Sequence, residues 1–412
     1  MGAIQTPEKG SDPKLSNSAA QPGASAQPRL LWLDVIKGFS ILWIVFFHFF
    51  KEYSKGRFPL PWGPHYFAAF FDRCAPASAA AMLACVVRAI FVAVAMLGYG
   101  AVGVFIVMSG FGLTYALAKT GNPDHGWRGW YRSRVLRLFP VYWVAHLIYL
   151  ISPFEARYDP VDYRFILSFL GDRIYPVEMI SYLTPAWWYF GLILELYLIF
   201  PLLFRLLQKA GVRWFLVICA AETVLCRYIL LFNIFQTDGM VLSAFCGSRL
   251  WEFAFGMVVG LAYRQNRAWV GDHLFSARAM VVGVAIYTAG LYSFYSTFTY
   301  IFTDALIGTG LFVILAQLAW HSRRMVRVEA ALAFVGVYSY GLYLFHQPYA
   351  TYFGDRLRWM DMVEFVVVAA AIITVVTLAS AYVERHVNAL TNRLLARPTP
   401  PSVSAGLSKD FC

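Results

Sequence analysis

The chain has 412 residues, of which 59% are hydrophobic, 18% aromatic and only 14% charged. Because soluble domains carry roughly 25% charged residues, this composition excludes an ordinary soluble protein and favours one embedded in a lipid bilayer. The formal net charge of +11 is compatible with nucleic-acid binding, but the Lys and Arg residues cluster between apolar segments, where they set membrane orientation. We therefore predict the bilayer, and no nucleic acid, as the environment of the chain.

The N-terminal segment, residues 1–28, is rich in Ala, Ser, Gln, Pro and Gly and has no apolar run. Such a segment cannot offset the entropy of ordering, so we predict a disordered cytoplasmic tail. The first apolar run that follows is long enough to span a membrane and has no small-residue cleavage site after it, which predicts a retained helix. The predicted membrane domain covers residues 29–385, and residues 386–412 form a second cytoplasmic tail.

Ten apolar stretches of spanning length predict an all-α, polytopic membrane helical bundle. Basic residues follow the second, fourth, sixth, eighth and tenth stretches, so both termini should be cytoplasmic and the protein should lie in the inner membrane. The predicted spans are residues 30–50, 89–117, 138–152, 184–206, 214–232, 243–263, 279–296, 302–320, 332–353 and 363–383.

The first span carries Lys37 and His48, with ten residues between them. Ionisable groups are costly in hydrocarbon, so their presence calls for a functional explanation. Eleven steps of about 100° bring both to nearly the same helix face, roughly 16 Å apart along the axis. Lys37 is also expected to pair with Asp34 one turn earlier or to snorkel to the inner interface. A lone apolar-face His is usually structural, but the aligned cation makes His48 the candidate general base.

The six cysteines make no metal-binding pattern, and we predict no metal site. Cys74 and Cys85 would pair if both face an oxidising side. Cys219, Cys226 and Cys246 lie in apolar runs and are expected to pack as small hydrophobic residues.

Two further spans contain polar residues with more than one interpretation. Ser109 lacks the strand-to-helix elbow of hydrolase nucleophiles, and Ser109 with Gly110 is expected to allow close helix packing. Glu195 is an intramembrane acid that would orient His48, bind an acceptor or pair with a basic group elsewhere.

Later polar residues are harder to assign. Arg249 and Glu252 are expected to form an i, i+3 ion pair. His346 would either donate to an acceptor or bond to a neighbouring helix, and the second interpretation is favoured. His146 and Asp304 receive no role.

Six short motifs follow one another between residue 30 and about residue 383. The first is Lys37, ten intervening residues and His48. The others are Gly103-Val-Phe-Ile-Val-Met-Ser-Gly-Phe111, Arg134-Val-Leu-Arg-Leu-Phe-Pro-Val-Tyr142, Trp187-Trp-Tyr-Phe190 with Glu195, Tyr197 and Pro201, Arg249 with Glu252 and Gly256, and Tyr338-Ser-Tyr-Gly-Leu-Tyr-Leu-Phe-His346. In kind and order they resemble the motifs of acyltransferase family 3, integral membrane proteins that move acyl groups onto surface glycans, glycolipids and some small molecules.

The resemblance implies an acyl-coenzyme A donor, usually acetyl-coenzyme A, and no permanently bound cofactor. Lys37, Arg134 and Arg137 would bind the coenzyme phosphates at the inner membrane edge through charge-assisted hydrogen bonds. Arg134 and Arg137 share a helix face at i and i+3, although anchoring of the helix explains them about as well without the resemblance. The family's first basic residue is usually Arg, and Lys37 offers a point charge without the bidentate fork.

The predicted function is therefore membrane O-acyltransfer from acyl-coenzyme A to a hydroxyl of a cell-envelope glycan or its lipid-linked precursor. Direct transfer with His48 as base is the first choice, and an acyl-histidine intermediate is the second. A small secondary metabolite is the alternative acceptor. A membrane transporter is the alternative from another class, but no clear inverted repeat supports it.

Overall fold

The computed structural model describes residues 30–61, 65–76, 78–154, 159–234 and 239–395. Across these ranges the chain is helical and has no β-strand, which confirms the all-α class. The predicted tail over residues 1–28 lies outside the described residues, as does the part of the predicted C-terminal tail beyond Leu395. The last helix continues past the predicted domain boundary at residue 385 and ends at Leu395.

Fifteen α-helices are present in the described part of the chain. They are α1 (Leu31–Ser54), α2 (Tyr66–Cys74), α3 (Ala79–Met96), α4 (Ala101–Leu117), α5 (Gly126–Ile151), α6 (Tyr163–Phe169), α7 (Trp188–Ile229), α8 (Gly239–Ala244), α9 (Leu250–Gln265), α10 (Arg267–Leu274), α11 (Ala277–Tyr292), α12 (Thr303–Ser322), α13 (Val326–Val337), α14 (Ser339–Arg356) and α15 (Met362–Leu395). Short 3₁₀ segments lead into several of them, including Pro185–Trp187 before α7 and Gly247–Arg249 before α9.

Seven helical stretches within the described residues are long and apolar enough to cross a bilayer, or eight if α13 and α14, bent by 80°, form one span. The predicted count of ten is not confirmed. Helix α7 runs for 42 residues through two predicted spans and departs from helical geometry at Gly211, where φ is 74° and ψ is 167°. Helix α9 has 16 residues, fewer than the roughly 20 that a span needs.

Helices α4 and α9 are in direct backbone contact through glycines. A Cβ atom added at Gly110 would overlap the carbonyl oxygen of Phe253, and one at Gly256 would overlap that of Val107. Small residues at a helix interface allow such close approach in membrane bundles. The structure therefore has the close helix packing that the sequence predicts at Ser109 and Gly110.

Helices α1 and α13 approach each other in the same way near the start of α1. A Cβ at Gly38 would overlap the carbonyl oxygen of Leu332, and one at Gly336 would overlap that of Asp34. Since no side chain separates the two backbones, α13 fixes the position of the first half of α1, including Lys37.

The segment after α1 closes one end of the bundle, which we call the disulfide end. Cys74 and Cys85 form a disulfide between α2 and α3, as the sequence predicts. Arg73 donates to the carbonyl oxygen of Arg57 at 2.9 Å, and Lys55 pairs with Asp355 at the end of α14 at 2.8 Å. The C-terminal ends of α1 and α14 therefore meet at the disulfide end.

We expect Gly110→Ala to lower the apparent melting temperature of detergent-purified protein by several degrees, because overpacking a tight contact costs about 1–3 kcal/mol. Gly112, in the same helix, has open space around its Cα. Gly112→Ala should be neutral or stabilising, since Ala exceeds Gly in helix propensity by about 1 kcal/mol. Thermal unfolding followed by size-exclusion chromatography compares the two variants, and equal melting temperatures would contradict the direct backbone contact.

Candidate active site

A cavity of about 210 Å³ lies between α1 and the first turns of α7, α9 and α12. His48 and Lys51 line it from α1, Trp188 from α7, Arg249 from the start of α9 and Asp304 from the start of α12. His48 is six residues before the end of α1, so the cavity is close to the disulfide end of the bundle. The sequence predicts His48 as a functional residue, and the structure gives it a cavity with charged walls.

His346 of α14 is the nearest titratable neighbour of His48, and their ring centroids are 5.1 Å apart. The His346 ring is fully buried, and its Nδ1 lies 2.8 Å from the carbonyl oxygen of Tyr343 and 3.2 Å from that of Leu342. A nitrogen that faces two carbonyls carries the hydrogen, so Nε2 holds the lone pair of the neutral ring. This Nε2 is buried and has no hydrogen-bond partner among the described residues. The favoured prediction, a bond to a neighbouring helix, is wrong for Nδ1, which bonds within α14.

A buried network of two arginines and two acidic residues adjoins the cavity, and two of its members, Arg249 and Asp304, line it. Asp304 accepts from Arg227 with Oδ2 at 2.6 Å and pairs with Arg249 through Oδ1 at 3.0 Å. The Nε of Arg249 lies 2.8 Å from Oε1 of Glu252, which confirms the predicted i, i+3 pair. Arg227 also donates to the carbonyl oxygen of Tyr300 at 3.0 Å. Two arginines and two acidic residues thus join α7, α9 and α12.

Glycines make room for this network. A Cβ at Gly103 would lie 3.3 Å from Nη2 of Arg249, and one at Gly308 would lie 2.9 Å from Cγ of Glu252. No role is assigned to Asp304 from the sequence, because its partner Arg227 is 77 residues away and no spacing rule links charges at that separation. The sequence does contain a signal for this position. Asp304 is an acidic residue at the start of an apolar span, and Gly308 follows it one turn later.

A second polar cluster contains Ser109 and Arg134, away from the cavity. The hydroxyl groups of Ser109 and Tyr197 are 3.3 Å apart, and Arg134 interacts electrostatically with both Tyr197 and Arg137. The Arg134 guanidinium lies 5.4 Å from the ring centroid of Trp130. Its Nε is buried and has no hydrogen-bond partner in the described ranges. Helices α4, α5 and α7 therefore bring together three residues that were singled out from separate motifs.

Arg137 connects this cluster to α15. It interacts electrostatically with Glu384, whose Oε2 accepts from the backbone N–H of Gly341 at 2.7 Å. The hydroxyl of Tyr340, in the same motif as Gly341, donates to the carbonyl oxygen of Leu138 at 2.8 Å. Sequence reasoning missed Glu384, because it lies at the polar end of a long helix, where acidic residues are common.

Lys37 pairs with Asp34, as predicted, with Nζ 3.4 Å from Oδ1. The Lys37 side chain is 33% exposed, whereas that of Asp34 is 7% exposed. Helix α1 therefore carries an accessible cation near its start and the cavity-lining His48 near its end.

Glu195 accepts from the backbone N–H of Cys246 through Oε2 at 2.8 Å. Its Oε1 is buried and lacks a hydrogen-bond partner within the described residues. Of the predicted roles, neither a hydrogen bond to His48 nor an ion pair with a basic side chain appears in this geometry. Glu195 instead fastens the segment that leads into Arg249.

The loop that precedes α7 is fastened to the bundle by a separate network. His146 lies 3.0 Å from Ser168 Oγ through Nε2, and Arg173 donates to the same oxygen at 2.8 Å. Arg173 also donates to the carbonyl oxygen of Tyr182 at 2.8 Å. Trp187, which stacks on His146, donates through Nε1 to the carbonyl oxygen of Leu344 at 2.9 Å. This network holds the start of α7 against α14 at Leu344, which is two residues before His346.

A polytopic helical bundle with an imidazole in a charged internal cavity has the architecture of an integral membrane enzyme. The model of the acyltransferase domain of acyltransferase family 3 matches residues 30–383, so the chain belongs to this family and is a membrane acyltransferase. No curated protein and no solved structure matches the chain.

We expect Asp304→Asn to lower the melting temperature strongly, because removing one partner of a buried ion pair leaves uncompensated charge and costs about 3–5 kcal/mol. Asp355→Asn is the matched control. Asp355 pairs with Lys55 where both side chains are more than 40% exposed, and surface pairs contribute little. Thermal unfolding in detergent measures both variants. A shift for Asp304→Asn no larger than the control's would show that the network does not hold the helices together.

Proposed function

We propose that this membrane acyltransferase moves an acetyl or other short acyl group from acyl-coenzyme A to a hydroxyl of a cell-envelope glycan or its lipid-linked precursor. The observation that carries the proposal is the position of His48 on the wall of a charged cavity beside His346. Family membership supports acyl transfer in general. The donor and the acceptor are proposed from the chemistry of the residues around the cavity, and a small secondary metabolite is the alternative acceptor.

In this proposal the start of α1 is cytoplasmic, the disulfide end faces outward, and the protein lies in the inner membrane. Two independent features support this orientation. Basic residues cluster in the loops predicted to be cytoplasmic, and the Cys74–Cys85 disulfide belongs to an oxidising compartment. The cavity then opens toward the side from which an envelope acceptor arrives, and the Arg134 cluster faces the cytoplasm.

The donor phosphates are assigned to Arg134, Arg137 and Lys37, at the cytoplasmic end. A phosphate group carries several charges and would be costly in the bilayer core. The neutral pantetheine arm is therefore the part of the coenzyme that would reach toward His48.

In the transfer step His48 takes the proton of the acceptor hydroxyl as its oxygen attacks the thioester carbonyl carbon. The new C–O bond forms, the C–S bond then breaks, and the leaving thiolate takes the proton back from His48, giving an ester and coenzyme A thiol. The ring of His346 packs beside that of His48, with centroids 5.1 Å apart, and in this proposal it orients the base, as the third group of a catalytic triad does. Attack by His48 itself, through an acyl-histidine, gives the same products and is the second route.

His48→Ala is expected to abolish release of coenzyme A thiol from acetyl-coenzyme A in the presence of a crude envelope-glycan acceptor mixture. The loss should be at least 100-fold, since general base catalysis contributes about 10²–10⁴ in rate. His386→Ala is the control, because His386 is exposed on α15 and bonds to the carbonyl oxygen of Tyr382 in its own helix. Release that persists in His48→Ala while the control is normal would remove His48 as the base.

The double variant Arg134→Gln/Arg137→Gln should raise the donor KM by about tenfold or more, because hydrogen bonds to charged groups contribute about 1.5–3 kcal/mol. It should also weaken the increase of KM with salt, which comes from screening of charge contacts. Arg128→Gln/Arg132→Gln, in exposed positions of the same helix, removes the same charge as a control. Equal KM values and salt dependences for the two double variants would leave Arg134 and Arg137 as orientation signals.

A further inference from the structure

We propose that Arg249 is a catalytic residue that stabilises the negative charge on the acyl carbonyl oxygen during transfer, in the cavity that it lines together with His48. This proposal rests on the acyl transfer proposed above and assigns a role that the motifs alone do not give. When the acceptor oxygen attacks the thioester carbonyl carbon, the C=O bond becomes a C–O⁻ single bond, and the charge remains until the C–S bond breaks. Hydrogen-bond donors aimed at that oxygen are usually the largest single contribution to catalysis of this kind.

The position of Arg249 is the first support. His48 lines the cavity from α1, and Arg249 and Asp304 line it from the starts of α9 and α12. A carbonyl group placed between them would present its carbon to an acceptor hydroxyl beside His48 and its oxygen to the guanidinium. Lys51, the other cation on the cavity wall, is exposed, whereas Arg249 is 4% exposed. Donors act more strongly where water is excluded, so Arg249 is the stronger candidate.

The second support is that Arg249 is held in place before any substrate arrives. Glu252 lies against its Nε and Asp304 against its Nη1, at 2.8 and 3.0 Å. The ion pair at Nη1 and the carboxyl group packed against Nε restrict movement of the guanidinium, so stabilising the oxyanion requires little rearrangement during the reaction. Arg227 fixes Asp304 in turn through its other oxygen. Glu252, Asp304 and Arg227 are therefore positioning residues, which act through Arg249.

The third support is the separation of roles within the cavity. An arginine stays protonated in proteins and cannot serve as the base. Both carboxylate oxygens of Asp304 face guanidinium groups, which leaves His48 to take the proton.

Glycine at two positions supports the same assignment. Gly103 and Gly308 bring α4 and α12 together beside Arg249 and Glu252, and a Cβ at Gly103 would lie 2.8 Å from the Cα of Gly308. A side chain at either position would displace the pair from the cavity wall.

The test compares wild type, Arg249→Lys and Arg227→Lys in lipid nanodiscs. Turnover is measured as coenzyme A thiol release, and donor affinity is measured with acetonyl-coenzyme A, a ketone analogue that cannot transfer its acyl group. Arg249→Lys keeps the charge but loses the planar fork. Its kcat should fall by about 10²–10³, while its affinity for the analogue should stay within about threefold, since the phosphates bind elsewhere. Arg227→Lys perturbs the same network at a residue that does not line the cavity. It should lower the melting temperature at least as much as Arg249→Lys does, but it should lower kcat less than tenfold.

A kcat of Arg249→Lys within threefold of wild type would overturn the proposal. It would also be overturned if Arg249→Lys and Arg227→Lys lost kcat in the same proportion to their loss of melting temperature. If Arg249→Lys does not fold, Arg249→Gln/Glu252→Gln removes the pair and keeps the Arg227–Asp304 pair balanced. Retained turnover in that double variant would overturn the role of Arg249. Wild-type protein that binds no donor and releases no thiol would overturn the acyl transfer itself, and this proposal with it.

Discussion

The carboxylate of Asp304, held between the guanidinium groups of Arg227 and Arg249, is the interaction on which the rest of the site depends. Charged groups inside an apolar bundle must be compensated within the protein, because lipid offers them no partner. Without the carboxylate, two buried cations would repel each other at the point where the end of α7 meets the starts of α9 and α12. With it, these three helices pack together, and Arg249 and Asp304 line the same cavity as His48.

Two glycine-mediated contacts give this arrangement its rigidity. Gly110 and Gly256 bring α4 and α9 into backbone contact, and Gly336 does the same for α13 and α1. Helix α9 begins at the residue that follows Arg249, and α1 carries His48. The helix that carries His48 and the helix that follows Arg249 are therefore each held against a neighbouring helix by backbone atoms, which move less than side chains. In the proposed mechanism this limits movement of the base and of the oxyanion donor.

The sequence predicts well what lies close together along the chain. The ion pairs of Lys37 with Asp34 and of Arg249 with Glu252 follow from helical spacing, and the Cys74–Cys85 disulfide joins residues only 11 positions apart. It does not predict the pairing of Arg227 with Asp304 or the contact of His48 with His346, because hydropathy gives no distances between spans. The helix count fails for a related reason: apolar residues continue on both sides of Gly211, and only the backbone conformation reveals the break.

The separation of the Arg134 cluster from the His48 cavity follows from what a membrane tolerates. In the proposed mechanism the donor is acyl-coenzyme A, whose phosphates carry several charges, so the residues assigned to bind them belong at the membrane edge, where water remains available. An acceptor that arrives from the other side needs the reacting carbonyl nearer to that side. Helix α1 meets both demands, because Lys37 and His48 lie roughly 16 Å apart along its axis. A pantetheine arm is long and uncharged enough to cover such a distance, so only the thioester has to enter the cavity. The proposed division of labour thus needs no movement of charge across the bilayer, and a fixed pair of residues, His48 and Arg249, is sufficient for the chemistry.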